Sequence, residues 1–249
     1  MPDLTGKVAL VTGGSRGIGA ATAKRLARDG ATVALSYNAS PEKAQAVVGE
    51  ITAAGGTARA YQADASDARA TGELIDDVIR DHGRLDILVN NAGVYLTGST
   101  EASSESDFDT TMAVNVKAVY TAGRAVASRL EDNGRIVNIG SIVGSTASFP
   151  GHAAYAASKA AVTAFSGVWA KELGARGVTV NTVQPGPIDT DMNPADPGQN
   201  PAAETMAGMT ALGRYGTADE IAAAVAFFAS DDAAYVTGAE LTVDGGMTA

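Results

Sequence analysis

The feature that most constrains this chain is an alternation that never breaks. Short runs rich in Val, Ile and Leu are each followed by a longer stretch of helical pattern, from end to end. The strand candidates are Val8–Thr12, Thr32–Tyr37, Ala58–Gln62, Ile87–Asn90, Arg135–Ile139, Thr179–Gln184 and Glu240–Val243. Most are apolar throughout, as parallel strands covered on both faces must be; a strand with one wet face would alternate instead. The helices between them have readable ends. Ser40-Pro41 offers an N-cap followed by Pro at the first helical position, and Thr217-Ala-Asp-Glu220 reads as a capping box. Gly30 after Asp29 and Gly83 after His82 stand where helices should stop. The pattern predicts an α/β fold, a doubly wound parallel sheet of about seven strands, with ligands bound at the carboxyl ends of the strands.

No repeat, linker or low-complexity tract divides the sequence, so residues 1–249 are expected to form one domain. The one irregular stretch is Pro185 to about Gly216. It holds five prolines (Pro185, Pro187, Pro194, Pro197, Pro201), reads as containing no strand, and follows the sixth strand at its carboxyl end. A long irregular segment there reads as a substrate lid over about 186–216; a surface excursion without function is the plainer alternative. No run approaches the roughly 18 apolar residues a membrane helix needs, and residues 1–6 lack the basic and apolar regions of a signal peptide. With no Cys and only two His, neither disulfide, thiol nucleophile nor transition-metal site is expected, and the composition fits a cytoplasmic enzyme. Lys and Arg number 18 against 28 Asp and Glu, a net −10 that repels nucleic acid, anionic membranes and acidic proteins.

Thr12-Gly13-Gly14-Ser15-Arg16-Gly17-Ile18-Gly19 follows the first strand and opens the first helix. Glycines at 13, 17 and 19 let the backbone turn tightly against a pyrophosphate held at the helix N-terminus. A Walker loop is excluded because no Gly-Lys-Ser/Thr follows. The second strand ends in Ser36-Tyr37-Asn38, followed by Ala39-Ser40, with no carboxylate before Glu42 to hold a ribose 2′-hydroxyl. Arg16 can instead meet a 2′-phosphate, with Ser36, Asn38 and Ser40 as neutral donors, which points to NADP(H). Arg16 as a solvated loop charge is the alternative. Asp64, with Ala65 beside it, follows the third strand and can accept from an adenine amino group.

At the other half of the sheet, Asn90-Asn91-Ala92-Gly93 ends the fourth strand with small residues suited to close passage by a cofactor, although a plain turn has the same composition. Ser141 follows the fifth strand and can hydrogen-bond a substrate oxygen. Asn115 is a buried amide in an otherwise apolar turn, which needs a reason. For each of these two residues alone, local capping serves equally well. Tyr155 and Lys159 share one helix face, roughly 6 Å apart along the axis. An ammonium so placed should lower the phenol from about 10 toward working pH, fitting it to pass a proton to or from a carbonyl oxygen. Such a pair in isolation is most often a solvated helix face; its company here argues otherwise.

Over essentially its whole length the chain resembles the short-chain dehydrogenase/reductases, Rossmann-type enzymes of the shorter kind. The resemblance rests on the Thr12–Gly19 loop, Asp64, Asn90–Gly93, Asn115, Ser141, Tyr155 with Lys159, Pro185-Gly186 and the closing Gly238–Gly246 segment. It implies a catalytic tetrad of Asn115, Ser141, Tyr155 and Lys159, with Asn115 holding a water in a proton relay and Lys159 also binding the nicotinamide ribose. It further implies cofactor contacts from Gly13, Ser15, Arg16, Gly17, Ile18 and Gly19, from Tyr37, Asn38, Ala39 and Ser40, and from Asp64 and Ala65. Asn91, Ala92, Gly93, Pro185 and Gly186 would complete them, with Ile188 along the nicotinamide and Thr190 at its carboxamide or at the pyrophosphate. A homotetramer is implied too, and the helix face bearing Ala161, Phe165, Val168 and Trp169 is more apolar than one sheet face requires.

The expected chemistry is NADP(H)-dependent interconversion of a small ketone and a secondary alcohol. Three other readings stay open. A 3-oxoacyl-carrier-protein reductase would dock an acidic partner, and Glu131 and Asp132 spoil the basic patch it would need. Sugar or steroid dehydrogenases share the motifs, and a non-catalytic NADP(H)-binding regulator shares the fold.

Overall fold

A computed structural model describes residues 3–146 and 149–249; Met1 and Pro2, part of the N-terminal reading above, lie outside the described residues. Among the described residues nine strands form, in chain order: β1 (Val8–Val11), β2 (Thr32–Tyr37), β3 (Thr57–Gln62), β4 (Ile87–Asn90), β5 (Arg135–Ile139), β6 (Thr179–Pro185), β7 (Ile188–Asp189), β8 (Gly216–Thr217) and β9 (Glu240–Val243). Seven make one parallel sheet in the order β3-β2-β1-β4-β5-β6-β9. The chain winds outward from β1 to β3, then returns to β4 and winds the other way. That reversal opens a crevice between the loops after β1 and β4, the place such sheets bind ligands.

The helices are α1 (Gly17–Arg28), α2 (Pro41–Ala53), α3 (Ala68–His82), α4 (Glu105–Met112), α5 (Ala118–Val126), α6 (Ile142–Thr146), α7 (Ala153–Leu173), α8 (Ala203–Met209) and α9 (Ala218–Ala229). They cover both faces, and the strand residues divide between two cores with period two. Ala9, Val11, Val33, Leu35, Val89 and Val137 pack beneath α1, α2 and α9, with Leu26, Val47, Ile51, Val225 and Phe228. Val8, Leu10, Ala34, Leu88 and Ile136 pack on the other side, with Leu74, Ile75 and Val78 of α3 and Val126 of α5. Every residue of β1, β4, β5 and β6 is buried, so apolar runs replace alternation there. At the edges, β3 and β9 keep exposed residues.

The expected helix ends are present with one difference. Thr217 and Glu220 form the reciprocal capping box of α9, and Gly83 closes α3 in the left-handed conformation at φ 77°. Ser40 stands at the start of α2, but its hydroxyl makes no capping bond.

The segment after β6 is more ordered than its prolines suggest. β7 and β8 pair in parallel, Ile188 with Gly216 and Asp189 with Thr217, which corrects the expectation of no strand. The ladder closes the ends of the segment into a loop, and α8 lies inside it. Two-residue strands of this kind are made by the closure and carry no periodicity of their own.

Trp169 lies against Gly123 of α5, where a Cβ would sit 2.3 Å from the indole, and Phe165 stacks on it with ring centroids 5.3 Å apart. Trp169 of the apolar α7 face is therefore spent inside the subunit. Val168 and Tyr120 stay exposed, at 54% and 48%. Among the described residues no helix is long and apolar enough to cross a membrane.

Candidate active site

The glycine loop after β1 is locked from the neighbouring half of the sheet. The Thr12 hydroxyl accepts from the N–H groups of Asn91 and Ala92, both at 3.0 Å. The Asn91 amide donates back to the carbonyls of Thr12 (2.9 Å) and Gly13 (3.1 Å). A Cβ on Gly13 would lie 2.9 Å from Ala92 Cα, and one on Gly19 only 2.3 Å from the Gly13 carbonyl oxygen, so neither position tolerates a side chain. Ser36 supports the loop from β2 by accepting from Gly13 N–H at 3.1 Å; its oxygen is thereby engaged by the protein itself. The first turn of α1 carries no acidic residue and no side-chain cap, leaving its N–H groups open to an anion. With the backbone held this close and the helix end uncapped, the site fits a pyrophosphate.

A cleft of about 480 Å³ runs along the carboxyl edge, within the range of small-molecule sites. Its lining includes Gly13, Ser15, Arg16, Gly17, Ile18 and Gly19 after β1, Tyr37 to Ser40 after β2, and Asp64 and Ala65 after β3. From the other half come Asn91, Ala92, Gly93, Ser141, Tyr155, Lys159, Pro185, Gly186, Ile188 and Thr190. Every expected cofactor contact borders this one cleft. Three of the four expected catalytic residues do as well.

Asn115 is the one that does not. It lies in a π-helical turn, Ala113–Lys117, between α4 and α5, and is 1% exposed. Its oxygen accepts from Val94 N–H at 2.8 Å, while its amide donates to the Val94 carbonyl (3.0 Å) and Ser158 Oγ (3.1 Å). The buried amide thus has its reason: it clamps the loop after β4. The clamp uses both hydrogens of the amide nitrogen, while the oxygen accepts one bond and keeps a second lone pair.

Ser141 is held from β6. Gln184, fully buried, accepts from Ser141 N–H at 2.7 Å and donates to Thr163 Oγ1 (3.0 Å) and Glu240 Oε2 (2.8 Å). Gly140 leaves room for that amide, since a Cβ there would sit 2.4 Å from Gln184 Oε1. Gly144 of α6 does the same for α7, because a Cβ would meet the Lys159 backbone at 2.9 Å.

Tyr155 and Lys159 share the α7 face as expected, but their protonation differs from expectation. Lys159 Nζ lies 5.7 Å from the Tyr155 ring centroid and donates to the Ile139 carbonyl at 2.9 Å. Burial pushes the ammonium down to about 8. Burial also pushes the Tyr155 phenol up to about 12, with the Ser141 hydroxyl pulling the other way and Tyr95 adding to the rise. Tyr155 keeps some exposure to the cleft, yet the surrounding protein outweighs the nearby cation. Spacing revealed the neighbour but not the burial.

Beside the loops after β1 and β2, sequence reading missed two residues. Asp191, just after β7, pairs with Lys43 of α2 at 2.9 Å and with Arg16 at 3.9 Å. Lys43 is the second cation that the Leu35–Ser40 stretch lacks. Asp64 turns its Oδ1 to Ser66 N and Oγ, both at 2.8 Å. Among the described residues no cluster of three His, Cys, Asp or Glu is placed to hold a metal.

A family model described as enoyl-(acyl carrier protein) reductase matches residues 13–248. A short-chain dehydrogenase from Burkholderia cenocepacia, solved in complex with NADP, is 49% identical with a TM-score of 0.96, covering 99% of each chain. A 3-oxoacyl-[acyl-carrier-protein] reductase of Synechocystis is 43% identical over 99% of both chains. A cyclic-di-GMP-binding biofilm dispersal mediator protein of Escherichia coli is 40% identical over the full length of both.

The two shifted groups set a pH dependence for the cofactor-free protein. Between about pH 8 and pH 10 the unfolded chain still holds the Lys159 proton that the folded chain has shed, so stability rises with pH through that window. Above about pH 10 the unfolded phenol ionises before Tyr155 does, and the trend reverses. Urea midpoints measured across the window should climb in the parent and stay flatter in Lys159→Met. An identical slope in both proteins refutes the assignment.

Proposed function

Because the chain belongs to the short-chain dehydrogenase/reductase family, we propose that it is an NADP(H)-dependent oxidoreductase interconverting a small ketone and its secondary alcohol. The observation that carries this reading is the shared cleft: the open N-terminus of α1 lies at one end of it, and Ser141, Tyr155 and Lys159 lie at the other. When bound there, the nicotinamide supplies the hydride. Ser141 Oγ holds the carbonyl oxygen, and Tyr155 Oη donates the proton that completes the alcohol. A phenol kept protonated by its surroundings is suited to that donation. Lys159 contributes an ammonium beside the phenol and a donor to the cofactor ribose, and Asn115 fixes the loop after β4. The residues named for the cofactor in the sequence serve as its contacts, with Arg16 and Lys43 favouring a 2′-phosphate.

The whole chain acts as one catalytic domain in this proposal, in the cytoplasm, with residues 186–216 as the lid. Met192, Asn193 and Met206 of that segment border the cleft, which supports the lid role. A small ketone is favoured over a carrier-bound acyl group because Glu131 and Asp132 interrupt the basic stretch, and the arginines there are already partnered: Arg129 with Asp76, and Arg176 with Asp132 at 2.8 Å. The competing reading, a nucleotide-binding regulator, draws on the likeness to the dispersal mediator and predicts binding without turnover.

Tyr155→Phe should lower turnover at least about 10²-fold, the usual scale of a general acid, while NADPH still enhances or quenches fluorescence on binding as in the parent. Near-parental turnover would rule out Tyr155 as the donor. Tyr37→Asp places at the end of β2 the carboxylate that the sequence lacks, and should shift kcat/KM toward NADH. A parent that already uses NADH as well as NADPH would refute the cofactor assignment. The exposed Val168 and Tyr120 and the open edge of β9 support a homotetramer with two-fold axes. Light scattering at micromolar concentration should return about four subunit masses, and a single subunit mass would overturn it.

A further inference from the structure

The reductase reading leaves the substrate's larger side undefined, and the walls of the cleft carry information about it. Tyr155 is the first of four rings in continuous contact. Tyr95 meets it edge-on, with centroids 4.9 Å apart and planes at 84°. His152 follows Tyr95 at 5.4 Å, and Phe149 follows His152 at 5.9 Å. All four border the cleft and all are only partly buried, so ring surface faces the open space.

The polar atoms of Tyr95 and His152 are engaged with each other and with the backbone. Tyr95 Oη and His152 Nε2 are 2.5 Å apart, and His152 Nδ1 lies 2.9 Å from the Pro150 carbonyl. A carbonyl can only accept, so Nδ1 carries the hydrogen and Nε2 accepts from the Tyr95 hydroxyl. The pairing fixes both rings and removes their appetite for polar partners. Met192, Met206 and Met247 contribute thioethers to the same cleft. Thioethers pack well on ring edges and adapt to shape. Beyond Lys159, the described residues around this end add no Lys, Arg, Asp or Glu; Asp191 is turned to Arg16 and Lys43. Nothing here would repay the desolvation of a phosphate or carboxylate on the substrate.

We propose that the carbonyl compound this site reduces carries an aromatic or other planar conjugated ring on its larger side, seated against Tyr95, His152 and Phe149. The inference rests on the reductase reading above. Offset and edge-to-face contacts add to simple apolar burial, so a planar ring should gain roughly tenfold over a saturated ring of the same carbon count on meeting two of these side chains.

The test compares acetophenone with cyclohexyl methyl ketone in the full-length protein, in two readouts. One is the dissociation constant of each ketone for the NADP-loaded protein, followed by ligand-observed NMR; the other is kcat/KM with NADPH. Parent protein, Tyr95→Leu and Phe149→Leu are measured side by side. Comparing each variant with the parent cancels the intrinsic reactivity of the two ketones, and Phe149→Leu keeps a variant whose change is not in contact with Tyr155. Acetophenone should bind about tenfold tighter to the parent, and that preference should shrink at least about threefold in both variants. Equal or tighter binding of the cyclohexyl ketone, binding of neither ketone, or a preference unchanged in both variants overturns the proposal. Reduction of both ketones without an aryl preference sinks it while leaving the reductase reading intact. Aryl-selective binding that both variants weaken, without turnover of any ketone, upholds the ring wall and sinks the reductase reading.

Discussion

The joint between the loops after β1 and β4 is the constraint on which the site depends. Thr12 and Asn91 exchange four hydrogen bonds with the two facing backbones, and the glycines at 13 and 19 close to distances that exclude any Cβ. Polar groups so enclosed cost free energy when left unpaired, so the joint is held by need as much as by attraction. It fixes the crevice where the winding of the sheet reverses. From there, Asn115 extends the same support through Val94 to α7 by way of Ser158. Tyr155 and Lys159 sit on α7 and Ser141 in the turn between β5 and α6, and the loops around them are pinned by amides rather than by packing alone.

Much of this was legible in the sequence, for reasons that differ by element. The central strands declared themselves because both faces are buried and the residues had to be apolar. The capping box of α9 and the glycine ending α3 are local chemistry, readable without knowing the fold. The β7–β8 ladder was not readable, since two residues carry no period and their pairing depends on closure of the segment between them. Lys43 and Asp191 meet across 148 positions, a distance no local pattern spans. Tyr155 and Lys159 show the boundary most clearly. Their spacing places them on one face of α7, but the balance between a neighbouring charge and burial is a property of everything packed around them.

The protein's strong negative charge is distributed with a consequence for the cleft. Asp191 sits on both Arg16 and Lys43, exposed enough to be displaced by a better anion. The substrate end is left nearly without charge apart from Lys159. One cleft therefore offers two chemistries, charge and backbone N–H groups at one end and ring and thioether surface at the other. The two cations come from the β1–β3 half, Arg16 after β1 and Lys43 on α2, and the rings come from the segments after β4 and β5.

Gln184 joins Ser141 to the far edge strand through a single side chain. Its oxygen serves the Ser141 backbone while its nitrogen serves Thr163 and the Glu240 carboxylate, so all three bonds need an amide with its ends in that order. A carboxylate in its place would face Glu240 with like charge, and an apolar residue would strand the buried Ser141 N–H. Loss of the amide at 184 therefore leaves the buried Ser141 N–H without this acceptor, whatever stands at 240. A disturbance at the β9 edge thus has a two-step route to the Ser141 backbone, from the Glu240 carboxylate through one amide.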